Sequence, residues 1–432
     1  MHPFIRKAAR LRPSSQVIGV LLGGWILWGC GSSTALAAPQ SCVDCHRQSE
    51  KEMVKAWEGS RHAAAGVGCI ACHGDNHSTI FQVKGQVSAA TCGSCHSRQV
   101  TEFNRSLHAE SMDRMELDPK FERLSPAMAE QGCVQCHKIG RHFPDGSRGG
   151  CNSCHSGHAF SVVEARRPES CGGCHSGPDH PHIEMWQASK HGQLFASPET
   201  RAQAPTCVTC HMPGGSHDTG IGLTLGNVGT GAALDTDKPA VKMRSISAEE
   251  AKRQRALMVA NCLPCHSSRF ASESLAGADL VKQEADAVLG EAAGVINQLQ
   301  HAKLIRWLSS GMPPDEPKVP AEQPAAPQQP YSWIGPIPES IIPRVGGQDA
   351  ESGPLPGTEM PYDGLTPLEQ RFFGMVKFHH ATTFKGAYHH SPMFTHNEGF
   401  LRMQQDLSDI KNKAEQIRSG AKSSTPTPPK QP

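Results

Sequence analysis

One short motif occurs eight times in the 432-residue chain: two cysteines separated by two residues and followed directly by a histidine. The eight copies use every cysteine but one. The cysteine pairs are Cys42 and Cys45, Cys69 and Cys72, Cys92 and Cys95, Cys133 and Cys136, Cys151 and Cys154, Cys171 and Cys174, Cys207 and Cys210, and Cys262 and Cys265. The histidines that follow them are His46, His73, His96, His137, His155, His175, His211 and His266.

This spacing matches the chemistry of covalent haem attachment. The two thiols can each form a thioether to one vinyl group of a haem, and the adjacent histidine can then reach the iron. A zinc ribbon or a redox-active cysteine pair would explain one copy, but not eight copies that all end in histidine. The motifs therefore predict eight covalently bound haem c groups, with the sixteen cysteines as attachment points and the eight histidines as iron ligands.

The composition agrees with a chain that is built around such groups. Hydrophobic residues make up 37% and aromatic residues 5% of the sequence, which is little for a conventional core. Eight porphyrins would supply the missing apolar interior and would lie close enough together to pass electrons. The formal net charge of +1 gives no support for nucleic-acid binding.

The first 37 residues read as a signal peptide. A basic stretch that begins at Arg6 precedes an apolar stretch over 17–28, which is too short to span a membrane. Cleavage after Ala37 is one interpretation, and lipoprotein processing at Cys30 is the other. Either predicts export, so we expect a periplasmic protein.

Fifteen histidines beyond the leader are not part of a motif, and they compete for at most eight positions on the far side of the irons. The histidine count allows either eight closed haems or seven closed haems and one open haem. The candidates are His62, His77, His108, His142, His158, His180, His182, His191, His217, His301, His379, His380, His389, His390 and His396.

The pattern predicts a mainly α protein: a haem-packed multihaem cytochrome c with short helices and loops, and with long helices near the C-terminus. We expect a haem-binding catalytic region over 38–270 and a helical region over 271–418, which contains a proline-rich segment over 312–361. A disordered tail is expected over 419–432.

Several helix boundaries can be predicted. Capping boxes over 247–250 and 366–369 predict helices that run towards Cys262 and His389. Helical composition over 273–309 predicts another helix, and a final helix should open at Asn397. Its apolar positions form a seam that could lie on its own domain or at an oligomer contact: Phe400, Met403, Leu407, Ile410, Ala414 and Ile417.

The order and flanks of the motifs resemble those of the hydroxylamine oxidoreductase family of octahaem cytochromes c, over roughly 41–418. The most specific stretch is Cys-Asn-Ser-Cys-His-Ser-Gly-His-Ala-Phe-Ser-Val-Val-Glu-Ala-Arg-Arg-Pro-Glu-Ser-Cys over 151–171, which continues through His-Ser-Gly-Pro-Asp-His over 175–180. Further matches are Ala-Ser-Lys-His-Gly over 188–192, Ala-Pro-Thr-Cys over 204–207 and Cys-His-Ser-Ser-Arg-Phe over 265–270.

The resemblance implies that the fourth motif holds the catalytic haem, with His137 as its iron ligand and an open distal face. It implies that Asp179 and His180 stand on that face and relay protons, although His180 could instead be a distal ligand of another haem. It implies distal ligands at His62, His77, His108, His158, His191 and His217. A seventh should come from the cluster His379, His380, His389 and His390, and His389 is preferred. The family's trimeric assembly implies a homotrimer.

One departure from the family bears on the direction of the reaction. The oxidative enzymes carry a tyrosine that crosslinks to the catalytic haem of a neighbouring subunit, and here His396 stands in that place, in the run Phe-Thr-His-Asn-Glu-Gly-Phe over 394–400. Chains without the tyrosine resemble the reductive branch, so we expect reduction of nitrite or hydroxylamine, with electrons from a cytochrome or a quinol-linked protein. The alternatives are hydroxylamine oxidation without the crosslink, or a pure electron-transfer protein with all eight haems closed, in which His396 could become the sixth ligand of the catalytic haem.

Overall fold

The computed structural model describes residues 40–116, 124–178, 180–223, 248–305 and 367–423. These parts are helical and contain no named strand; one isolated antiparallel bridge joins His142 and Arg148. The mainly α, haem-packed fold predicted from the motifs is confirmed. No helix in the described ranges is both long enough and apolar enough to cross a membrane.

The motif region consists of short helices because each motif itself forms about one helical turn. The amide of the motif histidine donates to the carbonyl of the first cysteine, at 2.8 Å for His96 and Cys92 and at 2.9 Å for His175 and Cys171. One turn puts both cysteines and the histidine on the same side of the backbone. Serine and asparagine N-caps start many of these helices; the Ser60 hydroxyl, for example, accepts from the Ala63 amide.

The helices of this region are listed here in chain order. The α-helices are Gln40–Ser49, Lys51–Glu58, Arg61–Ala64, Cys69–His73, His77–Gln82, Ala89–Gly93, Ser97–Phe103, Ser111–Glu116, Pro126–Met128, Val134–His137, Val162–Ala165, Pro168–Gly172, His182–Ala188, Lys190–Ala196 and Cys207–His211. The 3-10 turns are Leu107–Glu110, Lys138–Gly140, Cys151–Ser153, Arg201–Gln203 and Pro213–Gly215, and Ala129–Cys133 is a π-helical turn.

The C-terminal region is a bundle of longer helices. In chain order they are Ala248–Cys262, Ser268–His301, Pro367–Gly374, the π-helical Met375–His380, Ala381–Tyr388, the π-helical Met393–Phe400 and Leu401–Ser423. The hydrophobic core cluster of the described residues lies in this bundle, where Leu289, Phe372 and Ile410 are almost completely buried. The described residues before 224 contain only seven buried hydrophobic side chains. The interior of the motif region therefore needs another apolar component.

Several predicted boundaries differ from those observed. Within the described residues, the helix expected over 273–309 is Ser268–His301. The π-helical element that leads into the last helix begins at Met393 rather than at Asn397, because Pro392 is already its N-cap. The first five residues of the expected tail, 419–423, continue the helix Leu401–Ser423, since small and polar residues there do not interrupt its hydrogen bonds.

The apolar seam of the last helix packs on its own domain. Met403, Leu407, Ile410 and Ala414 are buried in the bundle core, and Ile417 packs against it. Of the two interpretations of the seam, the intramolecular one accounts for these contacts.

Some predicted features lie outside the described residues. These are the leader over 1–37 with Cys30, the proline-rich segment over 312–361, the first capping residues Ser247 and Thr366, and Asp179.

Candidate haem centres

Seven of the eight motif histidines face a histidine from outside the motifs. The ring centroids are separated by 6.2 Å for His46 and His77, 6.1 Å for His73 and His158, 6.0 Å for His96 and His62, 6.1 Å for His155 and His217, 5.9 Å for His175 and His108, 6.4 Å for His211 and His389, and 6.1 Å for His266 and His191. The seven partners are the seven histidines expected as distal ligands.

These separations fit an iron atom between two imidazoles. An imidazole nitrogen binds a first-row metal at about 2.0 Å, and the ring centre lies roughly 1 Å beyond that nitrogen, so two ligands on opposite sides have centroids roughly 6 Å apart. Each pair also contains the histidine of a Cys-x-x-Cys-His turn, which supplies two thiols for covalent attachment. The donor set therefore fits haem c.

Hydrogen bonds at Nδ1 leave Nε2 for the metal at several of these histidines. His389 donates from Nδ1 to the carbonyl oxygen of Lys385 at 2.8 Å, and His217 donates to that of Gly215 at 3.1 Å. Such partners fix the tautomer and the ring orientation of a metal ligand.

Burial keeps many of the paired histidines neutral. Together with the nearby histidines, it lowers the pKa of His175 to about 3 and that of His211 to about 4. Burial also lowers the pKa of His158 and His389. Because only the neutral imidazole can bind a metal, these sites hold the histidines in the required form.

The fourth motif differs from the other seven. Within the described part of the chain, His137 has no ring contact with another histidine. Its Nδ1 donates to the carbonyl oxygen of Ser111 at 2.7 Å, and the Ser111 hydroxyl donates to the carbonyl oxygen of His137 at 2.8 Å. This pair of hydrogen bonds fixes the ring and leaves Nε2 available.

Of the two residues expected on the distal face of the catalytic haem, the structure describes only His180. Asp179 is outside the described residues, while the ring of His180 lies 6.1 Å from that of His175 and 6.2 Å from that of His182. Burial and the nearby thiol of Cys136 raise the pKa of Cys174 to about 11, so the fourth motif lies close to the sixth, which the segment with His180 follows.

His182 is a half-buried histidine that was one of the fifteen general candidates for a distal position and had no more specific expectation. Its ring lies 5.2 Å from that of His175 and 5.7 Å from that of His389, and its Nδ1 is buried without a hydrogen-bond partner. It therefore lies between the sixth and seventh motifs. The position of His182 in the sequence does not predict this location, because the contact with His389 joins segments about two hundred residues apart.

Electrostatic effects between thiols indicate which motifs are neighbours. Thiols from different motifs are near enough to shift each other's pKa in the pairs Cys42 and Cys69, Cys72 and Cys92, Cys92 and Cys151, Cys154 and Cys171, Cys171 and Cys207, and Cys210 and Cys262. The motifs thus form a row in the order one, two, three, five, six, seven and eight, with the fourth beside the sixth. A haem at each would have a neighbour at close range.

The four histidines of the C-terminal cluster have different surroundings. His379 contacts Asp406 at 2.5 Å and His380 contacts Asp286 at 2.7 Å, both inside the helical bundle. His389 faces His211, whereas the exposed His390 lies 6.4 Å from His191, with the two rings perpendicular. His396 is exposed on the π-helical turn Met393–Phe400.

Comparisons with known proteins agree with these features. Three family models match: "Seven times multi-haem cytochrome CxxCH" over 124–307, "Cytochrome c7 and related cytochrome c" over 79–156, and "Cytochrome c554 and c-prime" over 31–74. The chain is 26% identical over 460 aligned residues to a Kuenenia stuttgartiensis protein named "Probable nitrite reductase-hydroxylamine oxidoreductase fusion protein", with 88% of this chain and 52% of the relative covered. The chain thus spans about half the length of that relative.

Two further similarities concern a shorter stretch and the fold. The chain is 24% identical over 211 residues to the multiheme cytochrome MtrA of Shewanella baltica (strain OS185), with 44% of this chain and 62% of the relative covered. The solved structure of a reducing HAO-like protein complex of Kuenenia stuttgartiensis has a TM-score of 0.63 and 23% identity, and the match covers 88% of this chain and 85% of that one. HAO abbreviates hydroxylamine oxidoreductase. With the eight motifs and the paired histidines, these findings support a multihaem cytochrome c with covalently bound haem c that is similar to the hydroxylamine oxidoreductase-like proteins.

Proposed function

We propose that this protein is a periplasmic octahaem cytochrome c that reduces nitrite or hydroxylamine at the haem of the fourth motif. The observation that carries the proposal is the difference between His137 and the other seven motif histidines, each of which faces a second histidine. An iron with two histidine ligands is closed to substrate, whereas an iron held by His137 from one side would keep a coordination position free.

Different residues of the chain would bind the haem and transfer the protons. His137, fixed by Ser111, would hold the iron, and the bound haem would supply a binding position and electrons. Asp179 and His180 would exchange protons with the substrate, because each electron added to a nitrogen oxide or to hydroxylamine is accompanied by proton uptake. The proximity of Cys136 and Cys174, seen in the raised pKa of Cys174, supports electron delivery from the sixth motif to the fourth.

The reductive direction is supported by the residue at position 396 and by the relatives. A histidine there cannot form the tyrosine crosslink of the oxidative enzymes, and His396 is exposed rather than paired with a motif histidine. One relative is named as a nitrite reductase-hydroxylamine oxidoreductase fusion, and the similar solved structure is described as reducing. Hydroxylamine oxidation would use the same open iron with electrons flowing the other way.

A second function, electron transfer alone, is favoured by the unbroken row of motifs and by the similarity to a multiheme cytochrome over 211 residues. Under either function we propose export to the periplasm and exchange of electrons with a cytochrome or a quinol-linked protein. We also propose a homotrimer, for which the buried apolar seam of the last helix gives no support.

The test uses the purified holoprotein and its electron paramagnetic resonance spectrum. We expect one high-spin ferric haem whose signal changes on addition of nitrite or hydroxylamine, and formation of ammonium when a reduced dye supplies electrons. The variants Asp179→Asn and His180→Gln should keep the high-spin signal and lose about 10²–10⁴-fold in rate.

The exposed His396 provides the matched control. His396→Gln should leave both the high-spin signal and the rate unchanged. If all haems are low-spin and their signals do not change with either substrate, the proposal is refuted and electron transfer alone is favoured. A high-spin haem that appears only in His396→Gln would show that His396 closes the iron. Ammonium formation without rate loss in the Asp179 and His180 variants would remove their proposed role.

A further inference from the structure

Asp113 is a buried carboxylate that joins two segments next to the fourth motif. It lies in the helix Ser111–Glu116, and its side chain is only 5% exposed. It accepts hydrogen bonds from Arg148 Nη1 at 2.7 Å and from His142 Nε2 at 2.6 Å. Arg148 and His142 lie opposite each other in the turn that connects the fourth motif to the fifth.

The same helix carries the hydrogen-bond partner of His137. Ser111, two residues before Asp113, accepts from His137 Nδ1 through its carbonyl oxygen and donates to the His137 carbonyl through its hydroxyl. Since the two residues lie within one short helix, a tether at Asp113 also limits the movement of Ser111.

The segment before this helix reaches the sixth motif. Its 3-10 turn, Leu107–Glu110, carries His108, whose ring faces that of His175. The packing against the connecting turn is close, since a Cβ placed on Gly140 would lie 2.6 Å from Ser111 Oγ and 2.7 Å from the His108 carbonyl oxygen. A displacement of the segment would therefore change the surroundings of both His137 and His108.

We propose that Asp113 is a positioning residue for the catalytic haem: it holds the Ser111 carbonyl against His137 Nδ1 by tying the helix to Arg148 and His142. The proposal rests on the proposed function in taking His137 as the ligand of the open haem. A well-placed acceptor at Nδ1 makes the imidazole a stronger electron donor, and such outer partners commonly change metal affinity or activity by about 10–100-fold. A looser acceptor would weaken the iron–histidine bond and favour the ferrous state.

The test is resonance Raman spectroscopy and redox titration of the ferrous holoprotein, comparing Asp113→Asn with wild type. The substitution keeps the size of the side chain and removes the charge that holds Arg148. We expect the iron–histidine stretching band of the five-coordinate haem to shift to lower frequency, and its midpoint potential to rise. The bands of the six-coordinate haems should not move. The one exception is the haem of the sixth motif, because His108 lies on the segment just before the Asp113 helix.

Asp145 provides a matched control in the same connecting turn. Its carboxylate is exposed and accepts from the amide and hydroxyl of Ser147 at its tip. Asp145→Asn should therefore leave the band and the potential unchanged. Arg148→Gln, which removes the other partner of the ion pair, should reproduce the shifts of Asp113→Asn.

The outcomes separate this inference from the proposed function. If the wild type shows no five-coordinate haem, the proposed function fails. If the band is present but stays in place in both Asp113→Asn and Arg148→Gln while haem content is intact, the positioning role is refuted. Equal changes in all haem signals, or in Asp145→Asn as well, would indicate a general loss of structure and would also refute it.

Discussion

The pairing of His389 with His211 gives a quantitative prediction. Replacement of His389 by alanine removes the distal imidazole of the seventh motif, and the site then keeps only His211 as a ligand. If one haem is high-spin in the wild type, two should be high-spin in His389→Ala. The integrated high-spin signal per protein should therefore double.

The neighbouring His390 makes this prediction selective. The two histidines are adjacent, but only His389 donates from Nδ1 to the Lys385 carbonyl, at 2.8 Å, and so presents Nε2 towards His211. His390 is exposed, and its ring is perpendicular to that of His191, which is itself opposite His266. His390→Ala should therefore leave the high-spin signal at the wild-type value.

The assay is electron paramagnetic resonance spin quantification at equal haem content. Added imidazole should return the second high-spin haem of His389→Ala to the low-spin state, because it can enter the space of the missing side chain. A doubled signal in His390→Ala, or an unchanged signal in His389→Ala, would show that the ring pairing does not identify the distal ligand of the seventh motif.

Two further predictions concern packing and pH. A Cβ on Gly140 would lie 2.6 Å from Ser111 Oγ, about 0.8 Å short of ordinary contact. In chemical denaturation, Gly140→Ala should therefore lower the free energy of unfolding by about 1–3 kcal/mol, and in the resonance spectrum it should broaden the high-spin signal. Gly157→Ala, where a Cβ would have no atom within 4 Å, should change neither quantity. Burial lowers the pKa of His380 by more than the nearby Asp286 raises it. The folded state therefore takes up a proton at His380 less readily than the unfolded chain does. The free energy of unfolding should therefore fall as the pH drops below about 6.5, and a pH titration of His380→Gln should show a smaller fall; an equal fall in both proteins would contradict this reasoning.

The fold class and the individual motif turns were predictable, whereas the extents of the C-terminal helices were only partly so. Each motif is contained in about one helical turn, so its geometry depends on local spacing. The helix Ser268–His301 depends on burial of residues such as Leu289 and Ile296 against segments far along the chain. The apolar seam of the last helix has the same spacing whether it packs on its own bundle or on a second copy, and only the tertiary contacts distinguish the two.

The candidate site shows the same division. The family resemblance suggested the set of distal histidines, but it did not say which of them faces which motif. His158 follows the fifth motif yet faces His73 of the second, and His108 precedes the fourth yet faces His175 of the sixth. The proposed role of Asp113 could not be predicted from the sequence either, because its partners Arg148 and His142 lie about thirty residues further along the chain.

The sequence by itself was enough to predict where haem would be attached and which histidine would reach each iron from the attachment side. Thioether formation requires two cysteines and a histidine within one helical turn, and this is a local property of the chain. The tertiary structure decided which second histidine faces each motif, which motifs are neighbours, and that His137 lies apart from the paired histidines in the described residues. These relations join residues that are tens to hundreds of positions apart, so they are set by the way the segments pack and not by their spacing.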